Sequence, residues 1–106
     1  MSLPYVVYVH AKSQGAKLWL KTNFDQLAAS FRELHSDTLH RLKLDTHFVP
    51  GIVLHEDPEV FPRIELTVHG YEHARQTARQ IRQAIARSGG NVADFDVGRY
   101  RLDVVA

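Results

Sequence analysis

Gly70–Gly90, GYEHARQTARQIRQAIARSGG, is the stretch whose reading decides the fold. Tyr71, Ala74, Ala78, Ile81 and Ile85 recur at steps of three and four, which places them on one apolar stripe of a helix. Glu72 falls in the first turn, where the positive end of the helix dipole favours an acid. Gly89-Gly90 supplies a positive-φ stop. Immediately upstream, Arg63–His69 alternates: Ile64, Leu66 and Val68 against Glu65, Thr67 and His69, the period-two pattern of a half-buried strand. Downstream, Val92–Val105 reads as one or two strands with a break near Gly98. The helix thus has a strand-like segment on each flank.

Toward the N-terminus, Tyr5–Ala11 (YVVYVHA) is apolar at nearly every position, as expected of a central strand covered on both faces. Lys12–Gly15 reads as a polar turn. Ala16–Lys21 (AKLWLK) sets Leu18 and Leu20 against Lys17, Trp19 and Lys21, which suits a short strand or an ordered loop. Thr22 or Asn23 then offers a helix N-cap, with Asp25 or Gln26 three residues on. Phe24, Leu27, Ala28, Phe31, Leu34, Thr38 and Leu42 continue as one apolar stripe. Leu44–Val49 leaves that helix and Pro50-Gly51 punctuates the chain. Gly51–His55 reads as a strand, and Glu56–Pro62 as a loop whose prolines prevent regular pairing.

The order is strand, possible strand, helix, strand, strand, helix, strand. It matches a ferredoxin-like split β-α-β sandwich of the α+β class, with an antiparallel sheet and two helices on one face. At 106 residues and 44% apolar content, residues 1–106 form one domain with a single core.

Composition removes several function classes. With no cysteine, the chain has no disulfide, no thiolate nucleophile and no cysteine-ligated metal. A formal charge of +1 gives no global attraction to nucleic acid or anionic lipid, so any such affinity is local. The first apolar run, Leu3–Val9, lacks a basic flank and is too short for a signal core or a membrane span. A soluble, cytoplasmic protein without membrane contact is expected.

His69-Gly70-Tyr71-Glu72-His73 fits H-x-x-E-H, in which two histidines one turn apart on a helix bind zinc and the glutamate is the base. Here His69 ends a strand, Gly70 lies between, and no glutamate follows Glu72 to serve as third ligand. We therefore expect neither metal nor cofactor. Seven histidines invite acid–base chemistry. His40 lies opposite the apolar stripe of its helix, His47 and His55 border loops, and His35 lies on the buried side, where bonding to a carbonyl is the commoner role. His10 and His69 fall near the ends of strands that should be neighbours, and are the candidate catalytic pair. Their structural alternative is two satisfied polar groups at the sheet's rim.

Arg75, Arg79, Arg82 and Arg87 oppose only Glu72 on their helix, and the first three follow i, i+4, i+7. Guanidinium forks bind phosphate, so this stripe is the candidate binding site, set against a merely solvated face. The element order resembles RNA-recognition domains in topology, which stack bases on aromatics of the two central strands. Tyr5 and Tyr8 have opposite parity, and Arg63–His69 carries no aromatic, so that signature is absent; so are G-x-x-G, the phosphate-loop pattern, G-x-G-x-x-G and G-x-S-x-G. Glu56, Asp57 and Glu59, and Asp94 with Asp96, read as solvated turns rather than paired carboxylates.

The expected function is a small non-enzymatic binding or regulatory module. It should be a homodimer through the free face of the sheet, because Val6, Tyr8 and His10 oppose Tyr5, Val7 and Val9 and something should cover the second side. Either Ala16–Lys21 with Trp19 folds over that face or a second copy does; its partner would be a protein or small ligand. The alternatives are a nucleic-acid-binding domain using the Arg75–Arg87 helix, and a cofactor-independent enzyme of dimeric α/β-barrel type using His10 and His69.

Overall fold

Val7 and Val9 are fully buried because their strand, β1 (Pro4–Ala11), lies inside an antiparallel sheet. A computed structural model describes residues 4–41, 53–55 and 63–101 of the chain. β1 is followed by helix α1 (Gln14–Thr22), helix α2 (Phe24–Arg41), strand β2 (Val53–His55), strand β3 (Arg63–His69), helix α3 (Tyr71–Arg87), a 3-10 turn over Val92–Asp94 and strand β4 (Phe95–Arg101). The sheet order is β2-β3-β1-β4, and every pair is antiparallel. The protein is therefore of α+β type with an antiparallel sheet.

Register assigns the two faces. Val7 sits opposite both Leu66 and Arg99, and Tyr8 opposite both Glu65 and Gly98. Because side chains alternate along a strand, Val7, Val9, Leu66, Val68, Phe95 and Val97 share the face toward the helices, where all are buried. α2 adds Leu27 and Phe31 to this core, and α3 adds Ala74, Ala78, Ile81, Ala84 and Ile85. Fully burying a side chain such as Phe31 or Ile81 contributes about 1.5–3 kcal/mol relative to leaving it in water. Val6, Tyr8, His10, Thr67, His69 and Tyr100 occupy the opposite face by the same parity.

Among the described residues three α-helices occur where the sequence suggested two. Ala16–Lys21 is neither strand nor loop but most of α1. Ser13 is the reason: its Oγ accepts from the Ala16 backbone N–H at 3.1 Å and caps the first turn. The apparent alternation dissolves into a helical face, with Ala16 and Leu20 buried and Leu18 68% exposed. Trp19 packs edge-on against Phe95, with ring centroids 5.5 Å apart, and a Cβ at Gly90 would lie 2.8 Å from its ring. Trp19 thus joins the core side, and this segment does not cover the free face. Asn23 sits at the boundary between helices as expected, but its side chain donates back to the Trp19 carbonyl (2.9 Å) and closes α1 rather than capping α2.

Two further expectations shift. Tyr71 is 53% exposed, so α3 buries Thr77, Gln80 and Ala84 in addition to its predicted stripe but not Tyr71. Gly98 does not break the last strand; β4 runs continuously from Phe95 to Arg101, preceded by the Val92–Asp94 turn. Gly89 has φ 87°, the stop assigned to it, and Gly70 also takes positive φ, at 97°. Leu42, Leu44–Val49, Pro50-Gly51 and Glu56–Pro62 lie outside the described residues. Among the described residues no helix is long and apolar enough to cross a membrane.

Candidate functional site

α3 crosses the sheet beside β4, which ends the strand order and pairs on one side with β1. Among the described residues β4 is the edge strand, and the outer face of α3 looks over it. Arg75, Arg79 and Arg82 stand on that face along about 10 Å of helix, from a rise of about 1.5 Å per residue. Arg99 joins them from β4, where its parity sends it to the helix side of the sheet. Together with Gln76 these four arginines line one concavity of about 190 Å³.

Three of the four guanidiniums are held by different partners. Arg82 Nη2 donates to the Val97 carbonyl at 2.8 Å, which also blunts part of the exposed strand edge. Arg99 Nη2 donates to the Tyr71 hydroxyl at 3.2 Å and lies over that ring, 5.1 Å from its centre. Tyr5 braces Tyr71 edge-on at 6.0 Å. Arg75 forms an exposed ion pair with Glu72 at 3.6 Å, a contact worth little in water. Carbonyl and phenol partners fix a guanidinium without neutralising it. Among the described residues the groove therefore holds four positive charges against the one carboxylate of Glu72, in a chain whose whole net charge is +1. Arg87 is not part of it: it turns toward α2 and pairs with Glu33 at 3.4 Å.

The predicted histidine pair is not assembled. In the β1–β3 register Pro4 faces His69 and Arg63 faces His10, so the two histidines lie at opposite ends of the strand pair, roughly 20 Å apart at about 3.4 Å per residue. Both are exposed, which removes the proton-transfer enzyme built on them. The H-x-x-E-H histidines diverge as well. His69 lies on the free face, whereas His73 stacks on His35 between α3 and α2 (5.3 Å, 11°). His35 is buried as expected, stacks on Phe31 as well (5.4 Å), and bonds the Gln80 side-chain oxygen through Nδ1 at 3.1 Å. Burial lowers the pKa of both imidazoles below the ordinary value; for His73 the nearby His35 adds to the effect, against a hydrogen bond with the His69 backbone.

A second cluster occupies the sheet face opposite the helices. Tyr8 lies across Gly98, where an added Cβ would come within 2.5 Å of its hydroxyl. His10 flanks it at 4.8 Å and Tyr100, 46% exposed, at 6.1 Å. The sequence reading missed Arg99 and Tyr100 because it broke the strand at Gly98. No alternation marked the strand past Gly98, since Val97 and Tyr100 have opposite parity. Asp94 is exposed in the 3-10 turn and Asp96 is exposed beside His10 in register. Comparison with family models, with curated proteins and with solved structures finds no significant match, so the geometry alone carries the functional reading.

Proposed function

We propose that this protein is a small non-enzymatic binding module of ferredoxin-like fold whose ligand carries linked phosphate groups held in the α3–β4 groove. The observation that carries this reading is the convergence of Arg75, Arg79, Arg82 and Arg99 from a helix and an edge strand onto one concavity, with Glu72 as the carboxylate beside it. Guanidinium forks match phosphate oxygens bidentately, and arginines already anchored to a carbonyl or a phenol lose less side-chain entropy on binding. The strand order, with α2 and α3 sharing the core side, supports the ferredoxin-like assignment. Calorimetry with inorganic tripolyphosphate at low salt tests the site. Binding that disappears in Arg79→Ala/Arg99→Ala supports it; no binding to the wild type at millimolar ligand ends it.

A second reading places a copy of the same chain on the free sheet face. It is favoured by Tyr100 standing 46% exposed beside half-buried Tyr8, on the face that also carries Val6. Light scattering decides it: this reading requires a homodimer, and a monomer at high micromolar concentration removes it.

A further inference from the structure

Gly98, Arg99 and Tyr100 are consecutive on the outermost strand, and each opens a different part of one surface. Gly98 leaves the space in which the Tyr8 ring lies flat against the sheet; with any side chain there, the hydroxyl and Cζ of Tyr8 would be displaced. Tyr100 leaves the free face and sets its ring 6.1 Å from Tyr8, tilted by 38°. Arg99, between them, leaves the opposite face and enters the arginine groove. Neighbouring Cα atoms are about 3.8 Å apart, so an aromatic platform and an arginine groove meet along one strand. Among the described residues that strand ends the sheet, so a chain molecule can pass around it without crossing the sheet.

We propose that the phosphate ligand is a single-stranded polynucleotide, with bases stacking on Tyr8 and Tyr100 and phosphates entering the groove of Arg75, Arg79 and Arg99. The proposal rests on the anion-binding reading of that groove and adds the base platform to it. The chemistry of the two surfaces separates them in this way. Aromatic rings on an open sheet stack unpaired bases irrespective of sequence, and a basic groove tracks the backbone. Asp96 is exposed on the platform's side, next to His10 in register, which disfavours phosphates on the rings and leaves the groove as their place. A duplex would present paired, stacked bases that these rings cannot reach. A second copy of the chain fits the face less well: a two-fold contact would desolvate His10, Thr67, His69 and Asp96, all exposed around the rings, whereas stacked bases cover the rings and leave those groups in water.

The experiment is fluorescence anisotropy at low salt with three labelled probes: an eight-residue oligothymidylate, the matching oligouridylate, and an abasic strand with the same number of phosphates. The expected result is that either base-bearing strand binds at least tenfold more tightly than the abasic one, in keeping with the stacking contribution of a base on an aromatic side chain. Tyr100→Ala removes an exposed ring at little structural risk, and Gly98→Ala displaces the Tyr8 ring without touching either tyrosine. Each should abolish most of the preference for bases and leave abasic binding unchanged. Arg79→Ala/Arg99→Ala should weaken all three probes. Equal binding of base-bearing and abasic strands overturns the platform while leaving the anion groove intact. A preference that survives both Tyr100→Ala and Gly98→Ala also overturns it, as does a homodimer that Tyr100→Ala converts to monomer. Absence of binding to every probe overturns the groove itself.

Discussion

Acidification should destabilise this protein through the stacked histidines between α2 and α3. His35 is 4% exposed, lies between the rings of Phe31 and His73, and uses Nδ1 on the Gln80 side-chain oxygen. With a carbonyl oxygen as partner, Nδ1 carries the proton of the neutral ring, so a second proton would go to buried Nε2. Burial lowers the pKa of His35, and burial reinforced by His35 lowers that of His73. A histidine whose folded pKa is depressed leaves the unfolded chain binding more protons, so stability rises with pH across the window between the lowered value and the ordinary one near 6.5. It is present in full above that ordinary value, falls as pH drops through it, and levels off once the folded ring also protonates. If a ring stays neutral throughout, the loss between pH 7.5 and 5.5 is at most about 1.4 kcal/mol, and two rings double it to about 2.8 kcal/mol. With a urea m-value of roughly 1–1.5 kcal/mol/M, that is a midpoint shift of at most about 1–3 M. Urea unfolding followed by circular dichroism at both pH values measures it, and His73→Phe, which keeps a stacked ring without a titrating group, should remove about half of the shift. A midpoint that does not move, or one that moves as far in the His35→Gln/His73→Phe variant, would refute the reasoning.

Other substitutions test how α1 and the turn before β4 are packed. Gly90→Ala sets a Cβ 2.8 Å from the Trp19 ring and 2.9 Å from Ile85, and overpacking of this kind should cost about 1–3 kcal/mol in urea-unfolding stability. Leu20→Ala empties a fully buried position on α1 and should cost about 2–5 kcal/mol. Leu18→Gln, two residues away on the exposed side of the same helix, should stay within about 0.5 kcal/mol of wild type. Comparable losses from both leucines would indicate the strand or loop that the sequence pattern suggested instead of a helix. Ser13→Ala removes the α1 cap and should cost about 1 kcal/mol by the same assay.

What the sequence disclosed follows from how locally each element is encoded. The Gly70–Gly90 helix was legible because its apolar stripe, its acidic first turn and its glycine stop agree with one another. The alternation of Arg63–His69 placed Leu66 and Val68 in the core for the same reason. α1 was misread because six residues of alternating leucine and lysine satisfy two periods at once. The Ser13 cap that settles the matter lies just outside the alternating segment. Gly98 was taken as an interruption because glycine usually weakens a strand, whereas here it makes room for a ring from the neighbouring strand. The arginines of α3 were legible as a stripe. Their convergence with Arg99 was not, since it depends on which strand lies beneath the helix and on which face of that strand Arg99 falls. The supposed proximity of His10 and His69 failed on the same kind of information: adjacent antiparallel strands bring residues together only where their register does.

The claim that the α3–β4 groove holds a chain of phosphates is tested most directly by the salt dependence of oligothymidylate binding. If roughly three phosphates are engaged, log K should fall against log salt with a slope of about −2, a weakening of about 20-fold between 50 and 200 mM salt. Arg79→Ala/Arg99→Ala should reduce that slope to about −1 or shallower. A wild-type affinity indifferent to salt, or a slope unchanged by losing both arginines, would contradict the account.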